Sequence, residues 1–189
     1  MAAREDGTNF TAQWWAAIAD WREAVETMPF IRALADGSLP GDAFAFYLRQ
    51  DAAYLKEFSR VLSAASLMAP QQDAQRFFAS SAHVALEVEL GLHREWLTGH
   101  PADAGEAGAS PVTVAYINHL LASCVGGAYP VVVAAVLPCY WLYAHIGEVI
   151  LRAAGDLGTH PYQRWISTYA DTAFQESART ACRLSTRST

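Results

Sequence analysis

Apolar positions in this chain recur at the three-to-four-residue spacing of a helix face, and no convincing alternating strand interrupts them. Thr8, Asn9 or Thr11 is placed to cap a first helix that runs to about Thr27. The cluster DGSLPGD, 36–42, is a turn. From Asp42 a second helix puts Phe44, Tyr47, Leu48, Leu55, Phe58, Val61 and Leu62 on one stripe. APQQD, 69–73, breaks it, and a third helix runs from about Gln71 to Gly99. The Pro-, Gly-, Ala- and Asp-containing stretch 101–111 is a loop. A fourth helix covers about Pro111 to Cys124 and ends in VGGAYP. A fifth covers about Tyr129 to Ala154. After the loop AGDLGTHP, Pro161 suits the first turn of a sixth. No βαβ pattern, repeat or interdomain linker is present. The expected fold is all-α, an orthogonal or bundle-like array of six or more helices.

Composition narrows the picture. The 189 residues are 52% hydrophobic and 17% charged, enough for a sizeable core in one domain. Net charge is −6, and the 13 Lys and Arg residues are scattered, with Lys56 the single lysine. A basic face for nucleic acid is therefore not expected. Cys124, Cys139 and Cys182 form no CxxC pair and an odd set, so neither a disulfide framework nor a zinc cluster is expected. MAAREDGTNF lacks the apolar segment of a signal peptide, and a reducing cytoplasm is the expected compartment. Ala128 to Ala144 is a run of 17 residues without charge, at the short edge of a membrane span. It carries Pro130 and Pro138, and His145 and Glu148 follow at once. A buried helix fits it better, and no membrane partner is expected.

Three places break the local pattern. Asp51 lies three residues after Leu48 and four before Leu55, so its carboxylate falls on the core-facing stripe. Such a group must be paired, hydrogen-bonded or neutral. The plainer reading is a bond to a helix end or an arginine; the sharper one is a site. Tyr54 lies one turn on. Cys139 and Tyr143 are spaced i, i+4 and share a face, with Tyr140 close by and Pro138 withholding a ladder donor. A lone buried cysteine is most often an inert small hydrophobe. HVALEVELGLHREW holds His83–Glu87 and Glu89–His93 at i, i+4. Di-metal bundles use Glu-x-x-His, which occurs nowhere here, so solvent-side ion pairs are the expectation and no metal is. His93 also admits a haem-ligand reading. P-loop, GxSxG, GxGxxG and HExxH motifs are absent from the sequence.

FYLRQDAAYLKEF (46–58), ELGLHREW (89–96), SPVTVAYINHL (110–120), LPCYWLYAHIGE (137–148) and HPYQRWISTYA (160–170) together resemble the TenA family, thiaminase II. The resemblance runs from about Trp14 to Phe174. It implies a haem-oxygenase-like fold without haem or other cofactor, assembled as a tetramer. It also implies hydrolysis of aminomethyl-pyrimidine, a thiamin breakdown product, to hydroxymethyl-pyrimidine, and in some members cleavage of thiamin. By that resemblance the nucleophile falls on Cys139, in LPCYW. The aspartate that holds the aminopyrimidine falls on Asp51, in RQDAAYL. The pocket tyrosines fall on Tyr54, Tyr116, Tyr143 and Tyr169. An electron-poor pyrimidine is open to thiolate attack, and tyrosines stack on such rings.

The family also carries an acid on its last helix. Beyond Phe174 the chain reads QESARTACRLSTRST, with no glutamate after Glu176. The expectation is a helical domain over 1–174 and a divergent tail over 175–189, with the final helix missing or replaced and activity impaired. Two other functions compete with the enzyme. One is a binding or regulatory protein that keeps the pyrimidine pocket without turnover. The other is a relative that binds haem or a quinone precursor.

Overall fold

The computed structural model describes residues 10–100 and 108–187. They form α1 (Phe10–Ala17), α2 (Ala19–Glu26), α3 (Pro29–Asp36), α4 (Gly41–Met68), α5 (Gln72–Val84), a π-helical turn (Ala85–Glu89), α6 (Leu90–Gly99), α7 (Pro111–Cys124), α8 (Tyr129–Ala154), α9 (Gln163–Ala170) and α10 (Thr172–Arg187). No strand occurs among the described residues. The chain divides into two compact units, 40–136 and 1–39 with 137–189.

In the unit 40–136, α4 is the central element. Its 28 residues bury Phe44, Leu48, Leu55, Phe58, Val61 and Leu62, the stripe read from the sequence. Tyr47, placed on that stripe, is half-buried. Pro70 stops α4, because the residue before a proline disfavours the α region. α5 packs on α4 through Ala74, Phe78 and Ala82. α7 starts at a genuine cap: Ser110 Oγ accepts from the Thr113 N–H at 3.2 Å, and Pro111 follows, where no donor is needed. The first part of α8 buries Val132, Val133 and Val136 here.

In the unit 1–39 with 137–189, α8 continues as the apolar support. Gln175 Nε2 donates to the Ala144 carbonyl at 2.8 Å, tying α10 to α8. Gly147 lets α8 and α9 approach closely: a Cβ there would stand 2.6 Å from the Tyr169 carbonyl oxygen. α3 ends at Gly37, whose φ of 77° is the left-handed cap that glycine adopts without strain. Tyr162 donates its hydroxyl to the Leu39 carbonyl at 2.6 Å.

Several boundaries differ from the pattern-based expectation. The first helix is divided at Ile18 into α1 and α2, and α3 follows with Pro29 in its first turn. Thr8 and Asn9 lie outside the described residues, as does 101–107, and Thr11 is inside α1. The segment after Phe174 is helical to Arg187 and buries Ala178, Ala181, Leu184 and Ser185. α8 is long and apolar enough to cross a membrane by length and composition, and nearly half of its most apolar stretch is buried inside the protein.

Candidate active site

Asp51 is 6% exposed, at the middle of α4. Tyr47, one turn earlier, donates its hydroxyl to Asp51 Oδ2 at 3.3 Å. His93 Nε2 lies 3.3 Å from the same oxygen. That is an ion-pair distance without hydrogen-bond alignment. His93 is 1% exposed, and burial pushes its imidazole down, to about 4. A neutral imidazole beside a buried carboxylate is the consequence. A phenol and a histidine are thus two of the groups against the Asp51 carboxylate.

His93 is the residue that the sequence reading misplaced. It was expected on a solvent-side pair with Glu89. The π-helical turn Ala85–Glu89 explains the difference. Eight residues of unbroken α-helix from Ala85 would overshoot two turns by about 80°. The wider turn delays the phase and brings His93 round to the buried side that Ala85 occupies. A single extra residue in one turn leaves no periodic trace in the sequence. The only available signal was the imidazole itself in an otherwise apolar LGLH.

Tyr54, one turn beyond Asp51, is buried. Its ring stacks on Tyr116 of α7 at 5.7 Å and 16°, and on Phe58 at 5.1 Å and 21°. Tyr116 is 38% exposed, so this stack has one open side. Asp51, Tyr54 and Tyr116, all predicted, therefore come together in one unit. Tyr47 and His93 complete the group.

Cys139, Tyr143 and Tyr169 lie in the other unit. Cys139 is half-buried on α8, immediately after Pro138. A proline within the helix leaves the Ala134 carbonyl without its usual ladder donor. Tyr143 shares the cysteine's face one turn on. Its ring meets Tyr169 of α9 at 5.0 Å and 43°. Tyr169 is held in turn by Trp165 at 4.6 Å and Phe174 at 5.2 Å. The structure thus joins Tyr143 to Tyr169 as a ring pair.

The other cysteines differ in setting. Cys124 Sγ lies 3.6 Å from the Leu120 carbonyl, a local helix contact. Burial pushes the Cys182 thiol up, to about 11, although the Trp141 indole N–H donates to its sulfur. A thiol held that high is not a nucleophile at neutral pH. On the Trp141 side of α8, His145 Nε2 lies 2.6 Å from Glu26 Oε1, with the Trp15 ring edge-on to the imidazole. Trp141 is about 200° of helix rotation from Cys139, so this pair belongs to another face. Among the described residues no group of three or more His, Cys, Asp and Glu side chains is placed to hold a metal ion.

A buried carboxylate on α4 and a cysteine on α8 belong here to an all-α, haem-oxygenase-like array of helices. The chain is a member of the TENA/THI-4/PQQC family, whose model matches residues 15–189. It is 42% identical over 165 residues to the thiamine biosynthesis multifunctional protein ThiED of Corynebacterium efficiens, covering 87% of this chain and 22% of that protein. It is 35% identical over 170 residues to the aminopyrimidine aminohydrolase of Bacillus subtilis, covering 88% of this chain and 71% of that one. The chain thus spans about a fifth of the multifunctional relative's length. A solved TenA homologue from P. horikoshii superposes with a TM-score of 0.83 at 24% identity, over 95% of this chain and 85% of that one.

Proposed function

We propose that this protein is a thiamin-salvage hydrolase acting on 4-aminopyrimidines. It converts aminomethyl-pyrimidine and water to hydroxymethyl-pyrimidine and ammonia, with thiamin as a further substrate to be tested. The observation that carries this reading is the buried Asp51 carboxylate, held by Tyr47 and His93 beside the Tyr54–Tyr116 stack. A buried carboxylate is costly unless partnered. A cationic or amidine-like ring such as a protonated aminopyrimidine is a fitting ligand for it.

In this reading Asp51 takes the ring nitrogen and the exocyclic amine together, favouring the protonated, more electrophilic ring. Cys139 Sγ bonds to a ring carbon, and the electron pair moves to the ring nitrogen. The thiol proton passes to the substrate amine, which the adduct expels from the exocyclic methylene as ammonia; water adds at that carbon as hydroxyl, its other proton returns to the sulfur, and the thiol leaves as the ring regains aromaticity. Tyr54, Tyr116, Tyr143 and Tyr169 supply ring faces and hydroxyls. The same reading makes the chain cytoplasmic and homo-oligomeric, for which the exposed Leu67, Val112 and Val125 supply open apolar surface.

The competing reading is a pocket that binds the pyrimidine without turnover. Ammonia release from aminomethyl-pyrimidine separates the two. Release by the wild-type chain, lost in Cys139→Ala, supports the hydrolase and its nucleophile. Release unchanged in Cys139→Ala overturns the covalent step. Calorimetric binding of hydroxymethyl-pyrimidine with no release from aminomethyl-pyrimidine assigns the binding protein instead. Neither binding nor release overturns both.

A further inference from the structure

Gln50 precedes Asp51 on α4, and both ends of its side-chain amide are engaged. Oε1 accepts from the Ser110 backbone N–H at 2.7 Å and from the Thr113 hydroxyl at 2.8 Å. Nε2 faces the Gly108 carbonyl at 3.4 Å. Ser110 is the cap of α7, and Ser110 and Thr113 are themselves linked, hydroxyl to hydroxyl at 3.0 Å. One side chain of α4 therefore holds the whole first turn of α7. Tyr116, one turn beyond Thr113 on α7, stacks on Tyr54. Gln50 and Tyr54 are themselves one helical turn apart on α4.

We infer that Gln50 is a positioning residue: by clamping the start of α7 it fixes the Tyr116 ring parallel to Tyr54 and so sets the orientation of the exposed aromatic face that Tyr116 offers to a flat ring. Two fixed points explain why the stack stays parallel although Tyr116 is 38% exposed. With the clamp, the rotation of α7 about its axis is set one turn before the tyrosine. The substrate consequence rests on the proposed function; the clamp itself does not.

Two readouts test it. The first needs no ligand: the rate of Tyr116 nitration by tetranitromethane, followed by mass spectrometry, with buried Tyr162 as internal control. Gln50→Leu is expected to raise Tyr116 nitration several-fold and leave Tyr162 unchanged. Thr113→Val, which removes one of the two donors and leaves Gln50 in place, is expected to give a smaller rise. It also keeps the test decisive if Gln50→Leu fails to fold. Equal Tyr116 rates in folded variants and wild type overturn the inference.

The second readout is a double-mutant cycle on hydroxymethyl-pyrimidine binding and aminomethyl-pyrimidine KM. Displacement of a positioned ring should weaken binding and raise KM by roughly tenfold with kcat little changed. In a Tyr116→Ala background, Gln50→Leu should then add almost nothing. Additive losses show that Gln50 acts elsewhere and overturn the inference. If the wild-type chain binds no pyrimidine, the proposed function fails, and the nitration rates alone decide the clamp.

Discussion

The α4–α7 region and the α8–α9 region are built from opposite materials. On α4 the chemistry is polar and buried: a carboxylate with a phenol and an imidazole against one oxygen, and an amide clamp beside it. On α8, α9 and the start of α10 it is a half-buried sulfur followed by a packed series of rings, Tyr143, Tyr169, Trp165 and Phe174. Buried polar groups need fixed partners, so their geometry is set by directional bonds. Aromatic packing is set by shape rather than by directional bonds. Under the proposed function, the first region would recognise the polar ring and the second would supply the reacting atom.

That division predicts opposite kinetic signatures, and the largest effect belongs to sulfur. Cys139→Ala should lower kcat by at least about 10³-fold, since removal of a nucleophile rarely leaves more. Its Kd for hydroxymethyl-pyrimidine should stay within about twofold of wild type, because the lost atom makes no bond to a product at equilibrium. Asp51→Asn should show the reverse emphasis. Loss of a charge-assisted hydrogen bond weakens binding by about 10- to 100-fold, read by calorimetry. A Cys139→Ala variant that loses binding, or an Asp51→Asn variant that keeps it, breaks the comparison.

Legibility in the sequence followed the same line. α7 and α8 were readable almost to the residue, because Ser110–Pro111 and the glycines of VGGAYP are strong local signals. Asp51 was readable as a charge on an apolar stripe. Its partner His93 was not, since a π-helical turn changes the phase that periodicity depends on. α10 was missed for a different reason. On its buried face Ala178, Ala181 and Ser185 are small or polar and carry little weight in a search for large apolar side chains, and Leu184 stands alone among them. The break at Ile18 has no glycine or proline to announce it. The ring pairing of Tyr143 with Tyr169 depends on contact between distant segments, which spacing alone does not encode.

The aromatic region is predicted to be the more sensitive to packing. Gly147→Ala would set a Cβ 2.6 Å from the Tyr169 carbonyl oxygen and 2.7 Å from its carbon. Both are backbone atoms, so α9 itself must move. The expected cost is about 1–3 kcal/mol, measured as a lower denaturant midpoint. Gly91→Ala in α6 is the matched control. Nothing lies within 4 Å of its Cβ, and a helix interior gains up to about 1 kcal/mol from that exchange. Equal effects at the two glycines would remove the packing side of the comparison.

The polar region should show itself in stability as a pH dependence. Burial holds the His93 imidazole down, to about 4, against an ordinary value of 6.5. Between those values the unfolded chain binds a proton that the folded chain refuses, so stability rises with pH across that window. Equivalently, it is complete above about 6.5 and declines as pH falls toward 4. Other carboxylates titrate in the same range, so the informative quantity is the difference between wild type and His93→Asn. Asparagine cannot take up that proton. The slope of unfolding free energy against pH between 6.5 and 4 should therefore be shallower in the variant, and the two curves should run parallel above pH 7. Matching slopes throughout would mean that the Asp51 carboxylate, 3.3 Å away, compensates the protonated ring as well as water does. The pair would then be an ordinary ion pair, and the polar region would lose the feature that sets it apart.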